Sequence, residues 1–232
     1  LNGKFIEDVN KIEKEDYDSY LLFAGTAWLF SNEELNQKLD YLFIDEAGQV
    51  SLANTLAMCT STKNIVLIGD QMQLSQPIKG THPGIAGKSS LEYLLEGYDT
   101  IPPEKGIFLN ETRRLNKNIC EFISSSFYES RLRPHPVTNE RHVKLKLDKI
   151  KDEGINFIPM SHENNTQKSI EESDCIKDLM GKIIGKKCKD KADSKERNLE
   201  LKDILVVAPF NMQVNNLTRN LPENSKVGTI DK

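Results

Sequence analysis

The stretch YLFIDEAGQ (residues 41–49), together with IVLIGDQMQ (residues 65–73), is the most informative feature of this chain. Each begins as a short apolar run and ends in polar residues, a pattern typical of strands buried in a parallel sheet. Such sheets bind ligands at the carboxyl ends of their strands. An Asp-Glu pair there suits phosphoryl transfer, because one carboxylate can hold Mg²⁺ while the next orients or deprotonates a water molecule. The sequence therefore predicts an α/β protein of the P-loop type that hydrolyses a nucleotide.

These two stretches resemble motifs II and III of superfamily-1 helicases, specifically the group B branch that includes nonsense-mediated-decay RNA helicases and DNA helicase–nucleases. The resemblance implies that the nucleotide is ATP, that Asp45 binds Mg²⁺ and that Glu46 is the general base. It also implies that Gln73 contacts the γ-phosphate. The remaining motif residues expected in the nucleotide site are Gln49, Gly69 and Asp70.

The stretch FLNETRRLN (residues 108–116) resembles motif IV of the same helicases, in which an aromatic–Arg–Met triplet carries an arginine finger. Arg114 matches the arginine, while Arg113 and Leu115 replace the aromatic residue and the methionine. The resemblance implies that Arg114 stabilises the charge that develops on the transferred phosphoryl group. The Arg113–Arg114 doublet leaves the assignment ambiguous by one position.

Other segments resemble the parts of the family that touch nucleic acid. Residues 208–213 (APFNMQ) look like its proline–aromatic–Gln turn, and residues 227–232 (VGTIDK) like the opening of motif V. The residues expected to contact a nucleic-acid strand are Thr26, Pro209, Phe210 and Thr229, with Asp231 beside the last. Trp28, the sole tryptophan, is a possible stacking residue, but we expect it in the core.

Apolar strands alternate with helical patterns along the chain, which predicts a parallel α/β sheet. The resemblance implies that this sheet is built as two RecA-like halves, both incomplete. The expected halves are residues 1–105 and 106–232, because Pro and Gly interrupt the pattern at residues 97–106. Strands are predicted at residues 21–24, 107–109, 155–159, 204–208 and 227–230. Helices are predicted at residues 33–38 and 52–58, and from a capping box at Ser169 and Glu172. Two further helices are predicted from apolar spacing, one on Ile119, Phe122, Ile123 and Phe127 and one on Val214, Leu217 and Leu221.

The segment GIAGKSS (residues 84–90) is similar to a phosphate-binding loop but lacks its first glycine, since His82 stands there. We interpret it as a surface loop in which Ser89 or Ser90 caps a helix. No Walker A sequence precedes motif II, and motif VI is absent. We therefore expect a piece of a longer motor with little ATPase activity of its own.

Composition excludes several classes of protein. The net charge of −4 does not by itself favour nucleic acid, although a motor channel needs only local basic groups. The four cysteines form no C-x-x-C pair, which indicates free thiols in a reducing cytoplasm and no metal other than nucleotide-bound Mg²⁺. No signal peptide or membrane-spanning stretch is visible.

The expected partner is single-stranded nucleic acid, with DNA favoured over RNA. Residues 76–83, 106–109 and 120–124 resemble bacterial proteins that join a RecB-like nuclease to this helicase core, so a nuclease domain is expected elsewhere in the parent protein. The alternatives are an RNA helicase of the same superfamily, a catalytically silent interaction module, and an NTPase with no nucleic-acid role. The motif IV segment and the turn at residues 209–213 argue against the last.

Overall fold

A computed structural model describes residues 20–74, 80, 83–190 and 194–230. The chain divides into two compact units, Leu1–Asp99 and Thr100–Lys232. The Pro and Gly residues at positions 97–106 had instead predicted the domain boundary between residues 105 and 106. None of the helices among the described residues combines the length and the hydrophobicity that a membrane span requires.

The first unit is built on two parallel strands, β1 (Leu39–Ile44) and β2 (Thr62–Leu67). Leu39 lies opposite Thr62 and Ile44 opposite Leu67, so both strands end at the same edge. Among the described residues of this unit, the α-helices are α1 (Ala27–Phe30), α2 (Leu52–Cys59), which connects the two strands, and α3 (Ser90–Leu94). The predicted parallel pair and the helix between its strands are confirmed.

One face of β1 is buried and the other is exposed. Leu42 and Ile44 join a core cluster with Leu35, Met58 and Leu91. Tyr41 and Phe43 alternate with them and are 62% and 64% exposed. The prediction of a buried strand therefore holds for one face of β1 only, because the described residues pack against that face and not the other.

Among its described residues, the second unit contains three small sheets and three α-helices. Two sheets are parallel pairs, β3 (Glu111–Thr112) with β4 (Arg133–Pro134), and β8 (Leu205–Val207) with β9 (Lys226–Gly228). The third is antiparallel and consists of β5 (His142–Lys144), β6 (Lys187–Lys189) and β7 (Arg197–Asn198). The helices are α4 (Lys117–Phe127), α5 (Ile170–Ile183) and α6 (Asn211–Asn220).

The core of the second unit lies where α5 and α6 pack on β8. Met180, Val206, Ala208, Leu217 and Leu221 are buried together there, and this confirms the predicted face of α6. Burial of these side chains removes apolar surface from water, which is the main source of stability for such a unit.

A paired amide joins α6 to the start of α5. The side chain of Gln213 is buried; it accepts a hydrogen bond from Ser169 N at 2.8 Å and donates one to Ser169 O at 3.0 Å. Ser169 Oγ accepts from Glu172 N at 3.1 Å, as the predicted capping box requires. The reciprocal half of the box is replaced by Gln213, because its amide oxygen takes the Ser169 N–H.

The antiparallel sheet carries an ionic cluster at its edge. Glu196 accepts hydrogen bonds from the Lys144 ammonium and from His142 Nε2, the latter at 2.9 Å. These hydrogen bonds lower the pKa of Glu196 from 4.5 to about 2, and the bond from the Lys144 ammonium has a larger effect than the bond from the His142 ring.

Several predicted elements are absent from the described residues. Residues 21–24, 107–109 and 155–159 form no strand, and Leu21 and Phe157 are 94% and 88% exposed. The predicted helix at residues 33–38 is only a 3-10 turn, Glu33–Leu35, since Gln37 takes a positive φ of 56°. Short apolar runs fail as strand predictions when no neighbouring strand pairs with them.

Two aromatic predictions are also wrong. Trp28 was expected in the core, yet it is 87% exposed. On α4 the buried residues are Cys120 and Ser124, whereas Phe122 and Phe127 are 53% and 42% exposed. The buried face of α4 is thus rotated from the one that apolar spacing indicated.

Candidate nucleotide and nucleic-acid sites

The carboxyl ends of β1 and β2 meet, and the polar segments that follow them lie side by side. Beyond the strands, Ile68 N donates to Ile44 O at 2.9 Å and Ala47 N donates to Ile68 O at 2.9 Å. These bonds continue the ladder past the last strand residues. The segments 45–49 and 69–73 are therefore fixed against each other through their backbones.

Two glycines permit this close approach. A Cβ atom at Gly48 would lie 2.2 Å from Asp70 O, and one at Gly69 would lie 2.7 Å from Ala47 N. Both distances are far below van der Waals contact, and the obstacles are backbone atoms that no rotamer change can remove. Any side chain at either position would push the two segments apart.

The Asp-Glu pair lies at the start of a tight turn. Asp45 Oδ1 accepts a hydrogen bond from Glu46 N at 3.0 Å, and Glu46 O accepts one from Gln49 N at 2.8 Å. Glu46 has a φ of 52°, which is unfavourable for a residue with a side chain. Such strain in a non-glycine residue is frequent at functional sites. Asp45, Glu46 and Gln49 are all exposed.

The second segment is ordered by its own aspartate. Asp70 Oδ1 accepts from Met72 N at 3.0 Å, and Asp70 Oδ2 accepts from Gln73 Nε2 at 3.1 Å. The Gln73 amide is therefore held by Asp70, whose carbonyl oxygen lies against Gly48. The same segment contains Gln71, to which sequence reasoning assigned no role.

The donor set fits a Mg²⁺ ion that is shared with phosphates. No group of three or more His, Cys, Asp or Glu side chains in the described residues is able to hold a metal alone. Mg²⁺ characteristically uses one or two protein carboxylates and takes its remaining ligands from phosphates and water. Asp45, whose Oδ2 makes no hydrogen bond in the described part of the chain, suits that role.

The arginine doublet lies in the second unit, on the turn after β3. Thr112 Oγ1 accepts from Arg114 N at 3.2 Å and from Leu115 N at 3.3 Å, which fixes the backbone of the turn. Arg113 pairs with Glu111 at 3.8 Å. The Arg114 side chain is exposed and has no ion-pair partner among the described residues. Among the described residues, Arg113 thus has an ion-pair partner and Arg114 has none.

Three predicted nucleic-acid residues lie at one edge of the second unit. Pro209 and Phe210 follow β8, and Thr229 follows β9. The two strands β8 and β9 form a parallel pair. Parallel pairing places both strand ends at the same edge, and Ala208 N donates to Gly228 O at 3.1 Å there. Phe210 is 45% exposed at the N-terminus of α6.

The fourth predicted nucleic-acid residue, Thr26, lies in the first unit and precedes α1. Its side chain makes no capping hydrogen bond to that helix, and it is exposed. Trp28 is two residues further on, with its ring exposed. Neither Asp231 nor most of the stretch 76–83 lies within the described residues.

The segment at residues 84–90 is a loop with structural roles. Ser89 accepts a hydrogen bond from Glu92 N at 3.0 Å and caps α3, as predicted. Lys88, which would be the phosphate-binding lysine, pairs instead with Glu96 at 3.2 Å and with Glu92 at 3.9 Å. The helix cap agrees with the interpretation of this segment as a loop that leads into α3.

Comparison with known proteins places these observations in a family. The chain is 27% identical over 226 residues to the DNA polymerase alpha-associated DNA helicase A of Schizosaccharomyces pombe, a match covering 92% of this chain and 33% of that protein. It is 23% identical over 213 residues to an uncharacterized ATP-dependent helicase of Methanocaldococcus jannaschii, covering 84% of this chain and 29% of the relative. The chain spans about a third of the length of these curated relatives. A family model described as an AAA domain matches residues 86–232, more than half of the chain, and the chain therefore belongs to the AAA domain family.

Proposed function

We propose that this chain forms the middle part of an ATP-dependent helicase or translocase of superfamily 1, group B, in which ATP is hydrolysed between two RecA-like units. The observation that carries the proposal is the fixed pair of strand ends, which presents Asp45 and Glu46 beside the Asp70–Gln73 segment. The names of the two relatives, both ATP-dependent or DNA helicases, support it.

Glu46 is proposed as the general base of hydrolysis. Its carboxylate takes a proton from a water molecule, the water oxygen forms a bond to the γ-phosphorus, and the bond from that phosphorus to the β–γ bridging oxygen breaks. The products are ADP and inorganic phosphate. Asp45 holds the Mg²⁺ ion, which supplies neutralisation of phosphate charge when bound. Gln73, oriented by Asp70, contacts the γ-phosphate.

Arg114 is proposed to supply the positive charge from the second unit. A guanidinium presents planar donors that match phosphate oxygens, and it stays protonated at any physiological pH. An arginine of this kind typically increases the rate by about 10³–10⁵. The uncommitted side chain of Arg114 supports this choice over Arg113, which pairs with Glu111.

Single-stranded nucleic acid is the proposed substrate along which the protein moves. Thr26 and Thr229 donate hydrogen bonds to the sugar–phosphate backbone, while Pro209 and Phe210 offer apolar contact to bases. The exposed ring of Trp28, close to Thr26, is the strongest stacking candidate in the first unit. The fungal relative is named a DNA helicase, which supports DNA over RNA, and a RecB-like nuclease elsewhere in the whole protein belongs to the same proposal.

The single tryptophan allows a direct test on this chain. Titration with a single-stranded DNA oligomer should quench Trp28 fluorescence, because direct stacking of a base on the ring deactivates the excited indole. Trp28→Ala should weaken binding of a fluorescently labelled oligomer by about 5- to 150-fold, the equivalent of about 1–3 kcal/mol of stacking on one base.

The matched control is Phe157→Ala, which removes an equally exposed aromatic ring from outside the proposed contact. It should leave DNA affinity unchanged. Tighter binding of an RNA oligomer than of DNA would assign the protein to the RNA branch. Absence of binding to either would contradict a nucleic-acid role for this surface.

A further inference from the structure

The antiparallel sheet of the second unit carries its lysines on one face. In the register of β5 and β6, Lys144 lies opposite Lys187, and His142 lies opposite Lys189. Directly opposed residues of an antiparallel pair project to the same side of the sheet. Cys188 alternates with the two lysines of β6 and is only 3% exposed, so the other side of the sheet is covered. We call the outer side, with its three lysines and one histidine, the lysine face.

Acidic side chains neutralise only part of the lysine face. Glu196 pairs with Lys144, and Glu140 pairs with Lys189 at 2.9 Å. Lys187 stands on the central strand, is exposed, and has no ion-pair partner among the described residues. Like charges that lie directly opposite each other destabilise a sheet. The stability of the sheet therefore gives no reason for a positive charge at Lys187.

More lysines lie next to this face, just beyond the ends of β5 and β6. Asp152 Oδ1 accepts hydrogen bonds from Leu145 N and Lys146 N, both at 2.9 Å, and these bonds fix the chain where it leaves β5. Four lysines in the adjoining residues lack an ion-pair partner within the described ranges; they are Lys146, Lys149, Lys151 and Lys186. Positive charge thus continues past both strands.

This region is basic within an acidic chain. The described residues in the ranges 142–151, 186–190 and 194–198 contain nine Lys and Arg residues and three Asp and Glu residues. The chain as a whole has a net charge of −4. Such a local excess of one sign raises the concentration of oppositely charged partners at the surface. The region is therefore suited to a polyanion.

The residue types favour a nucleic-acid backbone as that polyanion. Protein interfaces are depleted in lysine and depend on aromatic or aliphatic anchors, and the stretches 142–151 and 186–198 contain no Phe, Tyr or Trp. Binding of a single strand normally adds stacking of bases on aromatic rings. The regular phosphates of a double helix require only positive charge. A lysine face without aromatic rings fits a duplex.

We propose that the lysine face is a second nucleic-acid site, which binds the phosphate backbone of a duplex without reading its sequence. Lys187 is the central contact, and its ammonium donates to a phosphate oxygen. The site is on different strands from Pro209, Phe210 and Thr229, which are proposed to contact a single strand. It requires no ATP, so its test is independent of the proposed hydrolysis.

The salt dependence of duplex binding tests this site on the chain itself. A labelled blunt-ended DNA duplex of about 20 base pairs is titrated with the protein at several NaCl concentrations, and binding is followed by fluorescence anisotropy. Each phosphate contact contributes about 0.9 to the slope of log Kd against log salt. Lys187→Gln should lower that slope by about 0.9 and weaken binding by up to about 8-fold at 0.1 M NaCl, the equivalent of one lost contact.

Lys177→Gln is the matched control. Lys177 is exposed on α5 of the same unit, and its Nζ donates to Asn220 Oδ1 at 3.2 Å without an ion pair to any described residue. The substitution removes the same charge, and it should leave the slope and the affinity unchanged. An unchanged slope in Lys187→Gln, or an equal loss in Lys177→Gln, overturns the proposal.

Charge reversal separates binding from folding. Lys187→Glu places a carboxylate opposite Lys144, and opposite charges in that geometry stabilise a sheet. Its urea midpoint should therefore stay the same or rise, while duplex binding falls below that of Lys187→Gln. A lower midpoint would show that Lys187 has a structural role and would contradict the proposal.

Two other probes test the choice of partner. A single-stranded oligomer of the same length should lose less affinity than the duplex in Lys187→Gln; an equal loss would assign the lysine face to the single strand. Tighter binding of polyglutamate than of the duplex would assign the face to an acidic protein. Either result overturns the duplex site, whatever the Trp28 titration shows.

Discussion

Replacement of Gly48 by alanine tests how tightly the two strand-end segments are joined. The new methyl group would lie 2.2 Å from Asp70 O and 2.8 Å from Asp70 C. A carbon and a carbonyl oxygen normally approach to about 3.3 Å, so the segments must separate by about 1 Å. Insertion of a methyl group into a closely packed site costs about 1–3 kcal/mol. We expect a value toward the upper end, because backbone on both sides resists the shift.

Hydrogen exchange is the most direct assay for this prediction. The amides of Ala47 and Ile68, which join the two segments, should exchange about 5- to 150-fold faster in Gly48→Ala, in proportion to the lost free energy. In a domain of 60–100 residues, each 1 kcal/mol also lowers the melting temperature by about 4–8 °C. Gly181→Ala is the control: it adds the same methyl group in α5, where nothing lies within 4 Å.

The control should be neutral or more stable, since alanine is the better helix former by about 0.5–1 kcal/mol. Unchanged exchange at Ala47 and Ile68 in Gly48→Ala would refute the close approach of the two segments. It would also remove the structural basis for placing the turn of residues 45–49 beside Asp70.

Three further predictions concern the second unit. Gln213→Ala should destabilise the protein by about 1–3 kcal/mol in urea denaturation, because the buried N–H of Ser169 loses its acceptor; an unchanged urea midpoint would contradict this. The pKa of Glu196 is depressed from 4.5 to about 2, so the stabilisation it gives is complete above pH 4.5 and is lost as the pH falls toward 2. Glu196→Gln should therefore make the urea midpoint depend less steeply on pH over that range. An equally steep dependence in the variant would show that the ion pairs of Glu196 do not contribute to stability. In the whole protein, Arg114→Ala should lower the ATP hydrolysis rate by a factor of about 10³–10⁵, and Arg113→Ala should lower it by less than 10-fold. A larger loss in Arg113→Ala than in Arg114→Ala would assign the arginine finger to Arg113.

The local patterns that predict this fold correctly are those in which a sequence feature acts on its neighbours. Apolar runs ending in Asp45-Glu46 and Gly69-Asp70 predicted the parallel pair and the meeting of its polar ends. Ser89 and Ser169 were recognisable as helix caps, because a cap bonds an amide three residues away.

The features that the sequence did not reveal depend on distant parts of the chain. An apolar residue is buried only if another element covers it, and nothing near Trp28 in the sequence tells whether one does. The bond from Gln71 to Asp99 joins residues 28 positions apart, and no periodicity encodes it. The Gln213 amide displaced half of the capping box at Ser169 for the same reason.

The catalytic assignment of Glu46 is tested most directly by measuring ATP binding and ATP hydrolysis separately in Glu46→Gln of the whole protein. The amide keeps the size of the side chain but accepts no proton from water. We predict that the hydrolysis rate falls by about 10²–10⁴, the usual contribution of a general base, while ATP affinity changes by less than about 3-fold. Hydrolysis at the unmodified rate in this variant would contradict the proposed role of the β1 strand end.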